Sequence, residues 1–75
     1  MSNYILADGE YRLLSLIWDH APIPSGQLVR LCEEEFGWKK STTYTQVRRL
    51  ADKGLLQNEQ AVVTPLVSRD QVQRE

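Results

Sequence analysis

The sequence predicts a mainly α protein with one small antiparallel β hairpin. Three observations carry this. Three stretches repeat apolar residues at helical spacing, and a proline or glycine closes each one. Two short apolar stretches around a polar step follow them. The chain has 75 residues, 41% hydrophobic and 25% charged, which fits one globular domain with a small core.

The first helix is expected over 8–20. Asp8 is a suitable N-cap and Glu10 sits in the first turn, where the helix dipole favours an anion. Tyr11, Leu14, Ile17 and Trp18 form its apolar stripe, widened by Leu13 and Leu16. Pro22 and Pro24 end it and force Ile23 to be extended, suited to one short edge-strand pairing. The second helix begins at 24 or 25 and runs to 36, with Leu28, Leu31, Cys32 and Phe36 on one face and Gly37 as its left-handed stop. The third is expected over 41–53, before Gly54, with Ser41, Thr42 and Thr43 as possible caps. At 100° per residue, Thr43, Val47, Leu50 and Ala51 share one side of it. Ser41, Thr42, Thr45, Arg48, Arg49 and Asp52 share the other.

Leu55-Leu56-Gln57-Asn58 and Ala61-Val62-Val63-Thr64 read as a hairpin, ended by Pro65. The turn lacks Asn-Gly or Asp-Gly, so a tight two-residue loop is not expected, and Asn58 is the best candidate for a positive φ. Ser68-Arg69-Asp70-Gln71 matches a capping box and predicts the start of a fourth helix over 68–75. Helix, helix, helix and hairpin in this order are the plan of a winged helix-turn-helix: a three-helix core plus a short wing over 1–67. In that plan the third helix enters the major groove of DNA.

The net charge of −1 hides an asymmetry. Residues 1–37 carry two basic and six acidic side chains, a net of −4. Residues 38–75 carry seven and four, a net of +3, and 38–54 alone hold +4. Such a segment suits a polyanion. Lys39 and Lys40 flank a helix start whose free N–H groups already attract phosphate. Arg48 and Arg49 can reach phosphates or guanine edges, and Thr45 offers a methyl and a hydroxyl. Tyr44 sits at the margin of the exposed face, where packing with a wet hydroxyl competes with a backbone or base contact.

Other conspicuous residues have structural readings. Trp18 and Trp38 suit the core, Trp38 as a staple across a turn, and Cys32 suits a buried thiol. His20 fits a helix C-terminus, and Glu33-Glu34-Glu35 a solvated face. One His and one Cys leave no nucleophile–base pair. There is no glycine-rich phosphate loop and no metal-ligand spacing, so no enzyme, cofactor or metal is expected. No apolar run approaches the roughly 18–20 residues of a membrane span, and no signal peptide precedes residue 8, so a cytoplasmic protein is expected.

Glu10-Tyr11, Leu14, Ile17-Trp18-Asp19, Trp38, Thr42, Thr45, Arg49-Leu50, Lys53-Gly54 and Thr64-Pro65-Leu66-Val67-Ser68 occur in an order and spacing that resemble the penicillinase repressor family, over about 6–68. The resemblance implies a bacterial winged helix that binds a palindromic operator as a homodimer and represses transcription. It gives Thr42, Thr45 and Arg49 contact or positioning roles on DNA, whereas Lys39, Lys40, Ser41, Tyr44 and Arg48 come from the helical-face reading. Dimerisation would use a C-terminal region after Ser68 that is not present here. Thr43 and Gln46 stand where the family has longer apolar side chains. The hairpin is shorter and lacks the family's glycine and basic tip, leaving Asn58 and Gln60 as wing candidates. The acidic first half and short wing also fit a different role, a winged helix that binds protein rather than DNA.

Overall fold

The computed structural model describes residues 4–74, with side chains through Val72. Residues 1–3 and residue 75, the outermost positions of the expected domain and of the expected fourth helix, lie outside the described residues. The elements run β1 (Tyr4–Leu6), α1 (Asp8–His20), β2 (Ile23–Pro24), α2 (Ser25–Phe36), α3 (Lys40–Asp52), β3 (Leu56–Glu59), β4 (Val62–Pro65), a 3-10 turn (Arg69–Gln71) and β5 (Val72–Arg74). This is the mainly α winged helix-turn-helix with one small antiparallel sheet.

The apolar faces meet in one core. Leu13, Leu14 and Ile17 of α1, Leu28 and Cys32 of α2, and Val47 and Leu50 of α3 are buried together with Ile23, Leu55, Leu56 and Val63. Tyr11, Leu16 and Trp18 are only half-buried around it. Trp18 donates its indole N–H to the Val67 carbonyl at 2.8 Å, which fastens the chain after the hairpin along α1.

Helix ends follow local chemistry with two corrections. Ala7, not Asp8, is the N-cap of α1, and the Glu10 carboxylate reaches back to the Ala7 N–H at 3.1 Å. Asp8 lies inside the first turn and pairs with Arg12 at 2.8 Å. Helix α3 starts one residue early, at Lys40, with Lys39 as N-cap and no side-chain cap bond. The reason lies upstream. Gly37 takes the left-handed conformation, φ 71°, and the Gly37 and Trp38 amides close α2 onto Glu33 and Cys32. Trp38 then packs on Phe36, the rings tilted with centroids 5.0 Å apart, bridging the turn ahead of α3.

The sheet is antiparallel in the order β2-β4-β3. Ile23 pairs with Val63 as the edge partner expected of it. The turn differs from expectation. Glu59 pairs with Val62, so the loop has two residues, Gln60 and Ala61, both at positive φ (53° and 61°). Asn58 lies in β3 opposite Val63. Positive φ at both central positions is the type I′ geometry that matches strand twist, and pairing on both sides of β4 imposes it on residues that do not favour it.

The fourth helix does not form over the described residues. Gln71 does return to the Ser68 N–H at 2.8 Å, but only one 3-10 turn follows. The chain then extends as β5, parallel to β1, with Tyr4 opposite Val72. Burial of Val72 and Leu6 outweighs the local helix signal. Among the described residues no helix is long and apolar enough to cross a membrane.

Candidate nucleic-acid interface

Helix α3 buries one side and leaves the other to solvent. Thr43, Val47 and Leu50 point into the core. Lys39, Lys40, Ser41, Thr42, Tyr44, Thr45, Arg48 and Arg49 are all exposed, so the helix and the residue before it gather these eight side chains on one surface. At its start the first N–H to find a backbone partner is that of Thr43, which bonds the Lys39 carbonyl at 3.1 Å. The amides ahead of it have no side-chain cap, and two lysines stand beside them. The side chains of Lys39 and Arg48 make no hydrogen bond or ion pair among the described residues.

Two side chains are more committed than sequence suggests. Thr45 donates its hydroxyl to the Ser41 carbonyl at 2.9 Å, which leaves only acceptor capacity on the oxygen of this exposed side chain. Tyr44 is 38% exposed, with the Lys40 ammonium 5.9 Å from its ring centroid. The half-wet tyrosine thus steadies a neighbouring cation.

Lys53 counts towards the basic segment but is already paired. Its ammonium donates to both oxygens of Glu10, at 3.0 and 2.8 Å. Glu10 is 6% exposed. Burial alone raises its pKa, but hydrogen bonds from Lys53 and the Ala7 N–H and the charges of Lys53 and Arg49 outweigh this, holding it below the ordinary value. The partners are 43 residues apart, so no local pattern reveals them.

The underside of α3 carries polar atoms where apolar ones would serve packing. The Thr43 hydroxyl is buried without a hydrogen-bond partner of good geometry, and the Cys32 thiol it faces is a weak one. Burial pushes the Cys32 thiol up, which keeps it protonated and inert. Gln46 likewise buries an unpartnered Oε1, packed with Trp38 near Gly9 of α1.

The wing is different. Asn58 and Gln60 are exposed, as are Gln57 and Glu59, and it bears no basic residue. Its tip is held back: the Ala61 carbonyl accepts the Ser25 N–H at 2.8 Å, placing the turn against the start of α2. Among the described residues no group of His, Cys, Asp and Glu could hold a metal ion.

The family model described as penicillinase repressor matches residues 6–75. The chain belongs to the penicillinase repressor family. Two solved structures of BlaI, a repressor, share its fold. One is the solution structure of the BlaI DNA-binding domain, with TM-score 0.81 and 24% identity over 88% of this chain and 85% of that one. The other is the Bacillus licheniformis BlaI monomeric form in complex with the blaP half-operator, with TM-score 0.75 and 26% identity over the same shares. No curated protein sequence matches the chain.

Proposed function

We infer that this penicillinase repressor family member is a DNA-binding transcriptional repressor that reads the major groove with α3. The observation that carries the reading is the exposed positive surface of α3: Lys39 and Lys40 at a helix start without a side-chain cap, and Arg48 and Arg49 further along the exposed side. Lys39, Lys40 and Ser41 would seat a phosphate at that start. Thr42, Thr45 and Tyr44 would lie along the base edges, the Thr45 methyl suited to an apolar contact, and Arg48 and Arg49 would reach guanine edges or phosphate. Asn58 and Gln60 of the wing would make at most uncharged contacts. A palindromic operator bound by a homodimer would give two such half-sites, and the BlaI monomeric form on a half-operator makes a single chain on one half-site a reasonable unit.

The test is a fluorescence-anisotropy titration of operator-containing duplex across a salt series. Replacing Arg48→Ala and Arg49→Ala together should flatten the log–log salt slope by about 1.8 units. It should also cost about 1–3 kcal/mol for each arginine that reads a base. An unchanged affinity and slope would show that the exposed face of α3 is not the DNA surface, and would favour a protein partner.

A further inference from the structure

Five cations lie between residues 38 and 54, and among the described residues four of them form no ion pair. The fifth, Lys53, is the C-cap residue of α3, one turn beyond Arg49 on the same row of the helix. Its side chain is 46% exposed, so burial does not remove it from the surface. Glu10 does. The Ala7 N–H needs one carboxylate oxygen, and Oε1 accepts it at 3.1 Å. The closer ammonium contact, 2.8 Å, is to Oε2, the oxygen that serves no role in the helix start. The acid thus joins the first turn of α1 to the C-cap residue of α3. Arg49 is also within its field.

We propose that Glu10 is a positioning residue for DNA recognition: it draws Lys53 back against α1 and limits the charge of α3 to its first three turns. This rests on the DNA-binding reading above. Its consequence is a ceiling on sequence-independent affinity. Each cation that neutralises a phosphate adds about 0.9 to the salt slope, so four free cations allow less non-specific attraction than five. A repressor gains selectivity when phosphate attraction is kept low relative to base contacts. The acidic partner therefore acts on DNA binding from the far side of the helix, without touching DNA.

The test is a salt series on a mixed-sequence duplex with the wild type, Glu10→Gln, Lys53→Met and the double variant. Glutamine keeps an acceptor for the Ala7 N–H but removes the negative charge and the shorter of the two contacts that hold Lys53. Glu10→Gln should steepen the slope by about 0.9 units, Lys53→Met should keep the wild-type slope, and the double variant should return to it. A purely structural pair would give both single variants the same slope. An unsteepened Glu10→Gln, or a Lys53→Met that flattens the wild-type slope, overturns the proposal while wild-type binding stands. A wild type indifferent to duplex at low salt overturns the DNA reading itself, and this proposal with it. A measurement on the wild type alone guards against a Glu10→Gln variant that does not fold. On adding duplex, the lysine ammonium NMR signals of Lys39 and Lys40 should shift and that of Lys53 should not. A Lys53 shift as large as theirs overturns the assignment.

Discussion

The outer face of α3 and the tip of the β3–β4 hairpin are both polar and exposed, yet they differ in what is left uncommitted. On α3, four cations stand out from a helix whose other side is fixed by Val47 and Leu50 in the core. On the wing, Gln57, Asn58, Glu59 and Gln60 offer no positive charge, and the Ala61 carbonyl is already bonded to the start of α2. Membership of a winged fold therefore does not make the wing a phosphate contact. The positive charges lie on the helix, and the exposed Asn58 and Gln60 of the wing offer only uncharged donors. The wing also stores strain that α3 does not, with two consecutive non-glycine residues at positive φ.

That strain gives the largest expected effect on stability. Replacing Gln60→Asn and Ala61→Gly together supplies residues that accept the left-handed conformation, and should stabilise the chain by about 1–2 kcal/mol. Urea unfolding measures this, and duplex affinity measured alongside should not change, because neither substitution alters a charge. The next effect concerns the underside of α3. Thr43→Val removes a buried hydroxyl without a good partner and should raise stability by about 1 kcal/mol. A fall in the unfolding midpoint would mean that the Cys32 thiol satisfies that hydroxyl. Converting the wing towards the character of α3 should act more weakly. Glu59→Lys should steepen the salt slope of duplex binding by about 0.9 units if the tip lies within reach of a phosphate. No change would place the wing clear of the duplex.

The smallest effect is in acid. Glu10 has a lowered pKa in the folded chain, so its ionised form contributes stability that is complete above the ordinary value of 4.5. That contribution is lost as pH falls from there through the folded pKa. The melting temperature of the wild type should therefore drop more steeply below about pH 4.5 than that of Glu10→Gln. Parallel curves would mean that Lys53 does not stabilise the carboxylate.

Much of this fold is legible in the sequence because it rests on local signals. Helices α1 and α2 follow apolar spacing and are closed where Pro22 and Gly37 require, and Ile23 pairs as its two prolines suggest. Two departures from local preference share one cause. At Gln60-Ala61 and at Ser68-Arg69-Asp70-Gln71, local preference points one way and a distant pairing wins: β4 between two neighbours in the first case, β5 alongside β1 in the second. The cap of α3 falls on Lys39 rather than a hydroxyl residue, just after the turn that Trp38 bridges by packing on Phe36. The candidate site divides likewise. The exposure of Arg48 and Arg49 follows from a helical rotation of 100° per residue. The withdrawal of Lys53 does not, since its partner Glu10 lies in the first helix.

Helix α3, rather than the wing, should meet the nucleic acid. A chemical-shift titration of the labelled chain with duplex DNA at low salt tests it most directly. The account predicts perturbations concentrated at residues 39–49, with 57–61 little changed. Perturbations centred on the wing, or none anywhere, would contradict it.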